Sequence, residues 1–286
     1  MRAIDRPADR GTELMDGLMA GSIDMHVHFN PDSNLVRRLD ALQTAEYARD
    51  LGMRALVLKS RDYNTVPVAQ LVSKLVPEVA VYGGVTLNPE VGGLNVAAAV
   101  AAAKMGAKVI WMATTGAANS KAKTERTRGL DLAGYGAGVC VLDSSGKLLP
   151  EAKEIIRIAR EYDIVLGTGH LSVAEDFALA EEATAVGFAK LVITHALQGE
   201  RSGMDSFLTA EQITQLARGG AFIEHCFWGW MPTVSTDDPM QLVESMKSTG
   251  PERCIMSTDF GQIYHPPAPE GFRLFIATRI RVGVSE

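Results

Sequence analysis

Short apolar runs alternate with amphipathic stretches along most of the chain. Ile23, Met25, Val27 and Phe29 alternate with Asp24, His26 and His28, the two-residue period of a strand. Apolar runs at 55–60, 79–87, 108–113, 164–169, 190–194, 221–224 and 254–256 predict seven more strands. Helical patterns separate them. A helix over 35–51 is closed by Gly52, and others are expected at 66–75, 95–105, 151–162, 173–186, 210–218, 240–247 and 270–281. A short helix at 11–20 leads into the first strand. Strict alternation of strand and helix implies a parallel sheet, and eight such units close into a (β/α)8 barrel. An open doubly wound sheet is the weaker expectation, because no GxGxxG follows the first strand.

The alternation pauses between Thr114 and Pro150, a stretch rich in Gly, Lys and Arg. A hairpin is expected there, pairing 139–142 with 147–149 around Asp143-Ser144-Ser145-Gly146. Connections this long inside a compact domain are usually functional lids or disordered. The segment 114–150 is therefore expected as an insertion covering the mouth, within one domain spanning 1–286. Lys121, Lys123, Arg126 and Arg128 read as a solvated face or, more sharply, as an anion-facing lid.

Composition narrows the class. With 286 residues, 47% of them hydrophobic, the chain can bury one large core. A net charge of −6 without a basic block argues against nucleic acid. Cys140, Cys226 and Cys254 lie far apart, as free thiols of a reducing cytoplasm do. The charged N-terminus does not read as a signal peptide, and the Ala-rich stretch 95–113 is broken by Lys104 and Lys108, so no membrane span is expected. The expected partner is a small-molecule substrate, with a homo-oligomer compatible.

The candidate chemistry sits at the strand ends. His26 and His28 end the first strand, Lys59 the second, His170 the fifth, His195 the sixth, His225 the seventh and Asp259 the eighth. In a (β/α)8 barrel these ends converge on one mouth. Two imidazoles side by side on a stiff strand make half of a metal site, with Asp24 below them. His225 either supports that site from behind or packs near Trp228 and Trp230, and His265, in the Pro-rich run HPPAP, is expected at the surface.

His26-Val27-His28, His170, His195 and Asp259 in STDFG together resemble the amidohydrolase superfamily over residues 22–262. The resemblance implies a divalent metal, usually zinc, and hydrolysis of amide, cyclic amide or ester bonds. It implies a metal held by His26, His28, His170 and Asp259, with His195 completing the shell or stabilising an oxyanion. Asp259 would carry the proton from the attacking water to the leaving group. The fourth strand ends Trp111-Met112-Ala113-Thr114-Thr115, without the bridging residue of two-metal members, so one metal is expected. The alternative is two metals bridged by a carbamylated Lys59. The simpler role for Lys59 is a cation facing the substrate. Arg61, Tyr63 and Asn88 are further candidates for substrate contact. A decarboxylase acting on an unsaturated or aromatic acid is the alternative activity. The family's usual N-terminal β-sandwich is not seen, and little sequence follows the last helix, as in its compact branch.

Overall fold

The structure, a computed structural model, describes residues 10–128, 132–197, 207–234 and 238–283. After helix α1 (Arg10–Met19) come β1 (Ile23–Val27), α2 (Ala41–Asp50), β2 (Ala55–Leu58), α3 (Val66–Leu75), β3 (Ala80–Thr86), α4 (Val96–Met105) and β4 (Val109–Trp111). Helix α5 (Ala118–Arg128) follows. Then come α6 (Pro150–Glu161), β5 (Val165–Gly167), α7 (Val173–Ala185), β6 (Leu191–Ile193), α8 (Ala210–Arg218), β7 (Phe222–Cys226), α9 (Pro239–Thr249), β8 (Cys254–Ser257) and α10 (Ala268–Arg281). The strands lie in the order β1 to β8 and each neighbouring pair is parallel. The expected barrel is therefore present. It closes where the end of β8 meets β1: Asp259 N donates to His26 O at 2.9 Å and His28 N donates to Phe260 O at 2.8 Å. No helix among the described residues is long and apolar enough to cross a membrane.

The strand pattern explains the layers. On β2, Leu56 and Leu58 face the helices, while Val57 and then Lys59 face the interior. Val57, Val109 and Trp111, with Met25 and Val165, form a small interior cluster. Two larger apolar layers lie between sheet and helices. Each fully buried Leu or Ile in them contributes about 1.5–3 kcal/mol.

Two expectations are corrected. Helix α2 begins at Ala41 and not near Leu35. Asp40 caps it, accepting from Gln43 N at 2.8 Å while Gln43 Oε1 accepts from Asp40 N at 3.1 Å. The preceding residues instead form a loop clamped by Asn30, which donates to Arg37 O at 2.7 Å and accepts from Arg37 N at 3.0 Å. In the stretch after β4, the structure adds a helix, α5, which the polar sequence did not announce. The expected hairpin is there as a single antiparallel bridge, Leu142 with Leu148. Glu175, in the capping box of α7, accepts from Val141 N at 2.8 Å and pins that hairpin to the barrel.

Candidate metal centre

Asp259 and the two histidines of β1 meet at the barrel mouth. Asp259 Oδ1 lies 3.2 Å from His26 Nε2 and 3.1 Å from His28 Nε2. The backbone arranges this meeting. Gly261 passes so close to β1 that a Cβ there would stand 2.4 Å from His28 O, so only glycine fits. Asp259 itself takes a φ of 56°, a left-handed conformation that Asp adopts more readily than most side chains. His195, at the end of β6, has a φ of 35°. Such strain is of order 1–3 kcal/mol per residue and persists where the surroundings over-determine it.

His170 and His195 complete a wall of imidazoles. Their ring centroids are 4.9 Å apart, and His195 lies 6.0 Å from His26. Ser120 Oγ, on α5, is 3.1 Å from His170 Nδ1, and His170 lines the cavity. Burial pushes His195 down to about 4, against the pull of Asp259, so it is neutral at neutral pH.

Glu224 was not singled out from the sequence. It points inward from β7, with both carboxylate oxygens 3.3 Å from His26 Nδ1. Burial would raise its carboxyl, but His26, together with His195 and Lys59, outweighs burial and holds it at about 2. Burial and Lys59 depress the His26 imidazolium, yet Asp259 and Glu224 outweigh them and lift it to about 9. The run Ala221-Phe222-Ile223-Glu224-His225 puts two polar residues in succession at the end of an apolar strand, and the sequence alone does not say which of them turns inward. His225 faces the other way, toward Cys254 Sγ at 3.9 Å, and burial followed by Arg279 pushes it to about 3. It does not join the mouth. His265 is likewise corrected. It is fully buried, stacked 4.7 Å from Phe260, with Nε2 2.9 Å from Thr233 Oγ1. The loop after β8 sets the ring against Phe260, with Tyr264 edge-on to it at 4.6 Å.

A small cavity of about 30 Å³ opens beside these groups, lined by His28, Lys59 and Asp259 among others. Lys59 is 2% exposed; its Nζ lies 2.9 Å from His26 Nε2 and 5.2 Å from the Trp111 ring centre. Arg61 also lines the cavity, as does Arg37, which the sequence did not single out. Tyr63 packs edge-on against Phe29 at 6.5 Å and is absent from the lining. Asn88 is also absent from it: its amide donates to Arg61 O at 3.2 Å and to Thr114 Oγ1 at 3.0 Å, and its oxygen accepts from Thr114 N at 2.7 Å. It braces the ends of β2 and β4.

The donor set fits a divalent cation. Ligand atoms of His26, His28 and Asp259 lie within 4.8 Å of one another, all buried. Imidazole nitrogens with one carboxylate suit zinc and related ions. A carboxylate behind a ligating imidazole holds the proton on the far nitrogen, and Glu224 stands where it would do this for His26 once a cation takes the place of the Nε2 proton. His26, Glu224 and Cys226 form a second cluster of donors, through the opposite nitrogen of His26, and Glu224 and Cys226 do not line the cavity.

The fold is similar to that of an amidohydrolase from Pseudomonas aeruginosa, with 12% identity, 96% of this chain and 93% of that one covered, and a TM-score of 0.61. It is similar to the probable dipeptidase PvdM from Pseudomonas aeruginosa, with 12% identity, 98% and 94% coverage, and a TM-score of 0.62. It is similar to the organophosphorus hydrolase from Deinococcus radiodurans, with 17% identity, 93% and 88% coverage, and a TM-score of 0.55. These likenesses show the barrel fold that the resemblance to amidohydrolases implied. No curated protein matches the chain. Residues 21–224 match the model of a family of unknown function (DUF6282), and the chain belongs to that family.

Proposed function

We propose that the chain is a metal-dependent hydrolase that cleaves an amide, cyclic amide or ester bond of a small molecule. The observation that carries this reading is the placement of one carboxylate oxygen, on Asp259, within 3.2 Å of both His26 Nε2 and His28 Nε2 beside an open cavity. The neighbours support it, since their names describe an amidohydrolase, a probable dipeptidase and an organophosphorus hydrolase. None of these three is a decarboxylase, so hydrolysis is preferred.

His26, His28, His170 and Asp259 would hold one divalent cation, zinc or similar, with His195 adjacent. The chemistry the cation supplies when bound is polarisation of a carbonyl and a lowered pKa of water, toward ~7. Asp259 is ionised at neutral pH: burial would raise its carboxyl, but His26 and His28 hold it well below the usual range. It is the group to accept a proton from the attacking water and return it to the leaving atom. Neutral His195, whose ring lies 4.9 Å from His170 and 6.0 Å from His26, would steady developing negative charge. Lys59 presents its ammonium to the substrate side. The segment 114–150 would cover the mouth, a role supported among its described residues by Thr114 and Thr115 in the cavity wall and by Asn119 Nδ2, which donates to His170 O at 3.2 Å.

Elemental analysis of the purified protein tests the reading, together with a panel of N-acyl amino acids, cyclic amides and lactones. About one equivalent of a divalent ion and turnover that chelation abolishes are expected. Protein that takes up no metal on reconstitution overturns it.

A further inference from the structure

We infer that Arg37 and Arg61 form a seat for a carboxylate group on the substrate, so that the molecule cleaved at the metal centre is a small acid. This deepens the hydrolase reading and rests on it. The seat itself can be tested separately.

Arg37 lies in the loop between β1 and α2, and Arg61 follows β2 directly. Each is only 3% exposed. Asp32 joins them: its Oδ2 accepts from Arg37 Nε at 2.9 Å and Nη2 at 2.6 Å, and its Oδ1 accepts from Arg61 Nη2 at 2.6 Å. One carboxylate against two guanidinium groups leaves an excess positive charge in a buried place. The arrangement also leaves donors unused. Arg37 Nη1 and Arg61 Nε are buried and have no hydrogen-bond partner. An unsatisfied buried donor on a charged group is costly, and an anion bound in the cavity that both arginines line would complete both donors.

Both arginines line the same cavity as His28, Asp259 and Lys59. An oxyanion held there would sit next to the metal centre, with the Lys59 ammonium in the same wall. Guanidinium forks match the geometry of carboxylate and phosphate alike. The two open donors, one on each arginine, match in number the two oxygens of a carboxylate, and phosphate is the comparison in the test below. The scissile carbonyl would then lie a few bonds from that carboxylate, as in an N-acyl amino acid, a cyclic amide acid or a lactone acid.

The experiment is calorimetric titration of the full-length protein, as isolated and again after chelation, with acetate, succinate and inorganic phosphate at constant ionic strength. Succinate is expected to bind in both states and more tightly than phosphate. Arg61→Gln and Arg37→Gln should weaken it at least tenfold. Arg61→Lys, which keeps the charge in place beside Asp32 and guards against a folding defect, should recover part of the loss. Equal succinate affinity in the parent and in folded Arg61→Lys and Arg61→Gln proteins would overturn the seat. Binding that disappears with the metal would assign the anion to the cation instead, and tighter phosphate binding would overturn the choice of carboxylate. Failure of the metal assay with succinate binding intact would remove the hydrolase and leave the seat.

Discussion

Both carboxylate oxygens of Glu224 lie 3.3 Å from Nδ1 of His26, so the imidazole is gripped from behind and turns Nε2 toward Asp259. Glu224→Gln keeps the shape but weakens that grip and no longer selects one tautomer. Losing such a partner typically costs 10–100-fold in metal affinity or activity. Competition with a chromogenic chelator should show weaker metal binding by about that factor, with the melting temperature little changed. An unaltered affinity would show that β1 alone orients His26.

Asp259→Asn removes the proton acceptor at the mouth. The amide preserves packing against His26 and His28, so the fold should persist. Loss of a general base alone should lower turnover by about 10²–10⁴-fold. Metal content has to be read in the same sample, because the amide also binds a cation more weakly. A metal-loaded variant within a few-fold of the parent would move the proton-transfer role to His195 or Lys59.

Lys59 would compete with a bound cation for His26. Its Nζ stands 2.9 Å from the nitrogen that faces Asp259. Replacing it with a flexible apolar chain, Lys59→Met, should therefore tighten metal binding while lowering turnover of an acidic substrate. Weaker metal binding in this variant would point to the carbamylated form of Lys59 as a ligand.

His225 predicts a pH dependence of stability. Its pKa falls from about 6.5 in the unfolded chain to about 3 in the fold, through burial and then Arg279. The folded state resists protonation that the unfolded state accepts. The stability it contributes is complete above pH ~6.5 and is lost as pH falls toward ~3, by at most about 1.4 kcal/mol per pH unit. Urea denaturation at pH 7.5 and 5 should show His225→Leu losing less stability on acidification than the parent, by up to one proton's worth. His195 and His265, both held near 4 by burial, will keep part of the slope.

Local pattern carried a long way in this protein. A period of two in the first strand, seven short apolar runs after it and a helical period between them were enough for eight parallel strands, because each pattern is set by which faces of one element are buried. Since successive strands of a (β/α)8 barrel end on one face, the positions of His26, His28, His170, His195 and Asp259 already implied a common mouth. What the chain did not disclose depends on contacts between elements distant in sequence. Glu224 and His225 differ by one position, and only the closed sheet decides that the first faces inward to His26 and the second outward to Cys254. Arg37 looked like a residue on an amphipathic helix. The Asp40 cap starts that helix later and frees the loop to carry Asp32 and Arg37 to Arg61. His265 looked exposed among prolines until the loop folded onto Phe260. Periodicity follows from the chain itself, whereas the pairing of buried charges follows from which loops the closed barrel brings together.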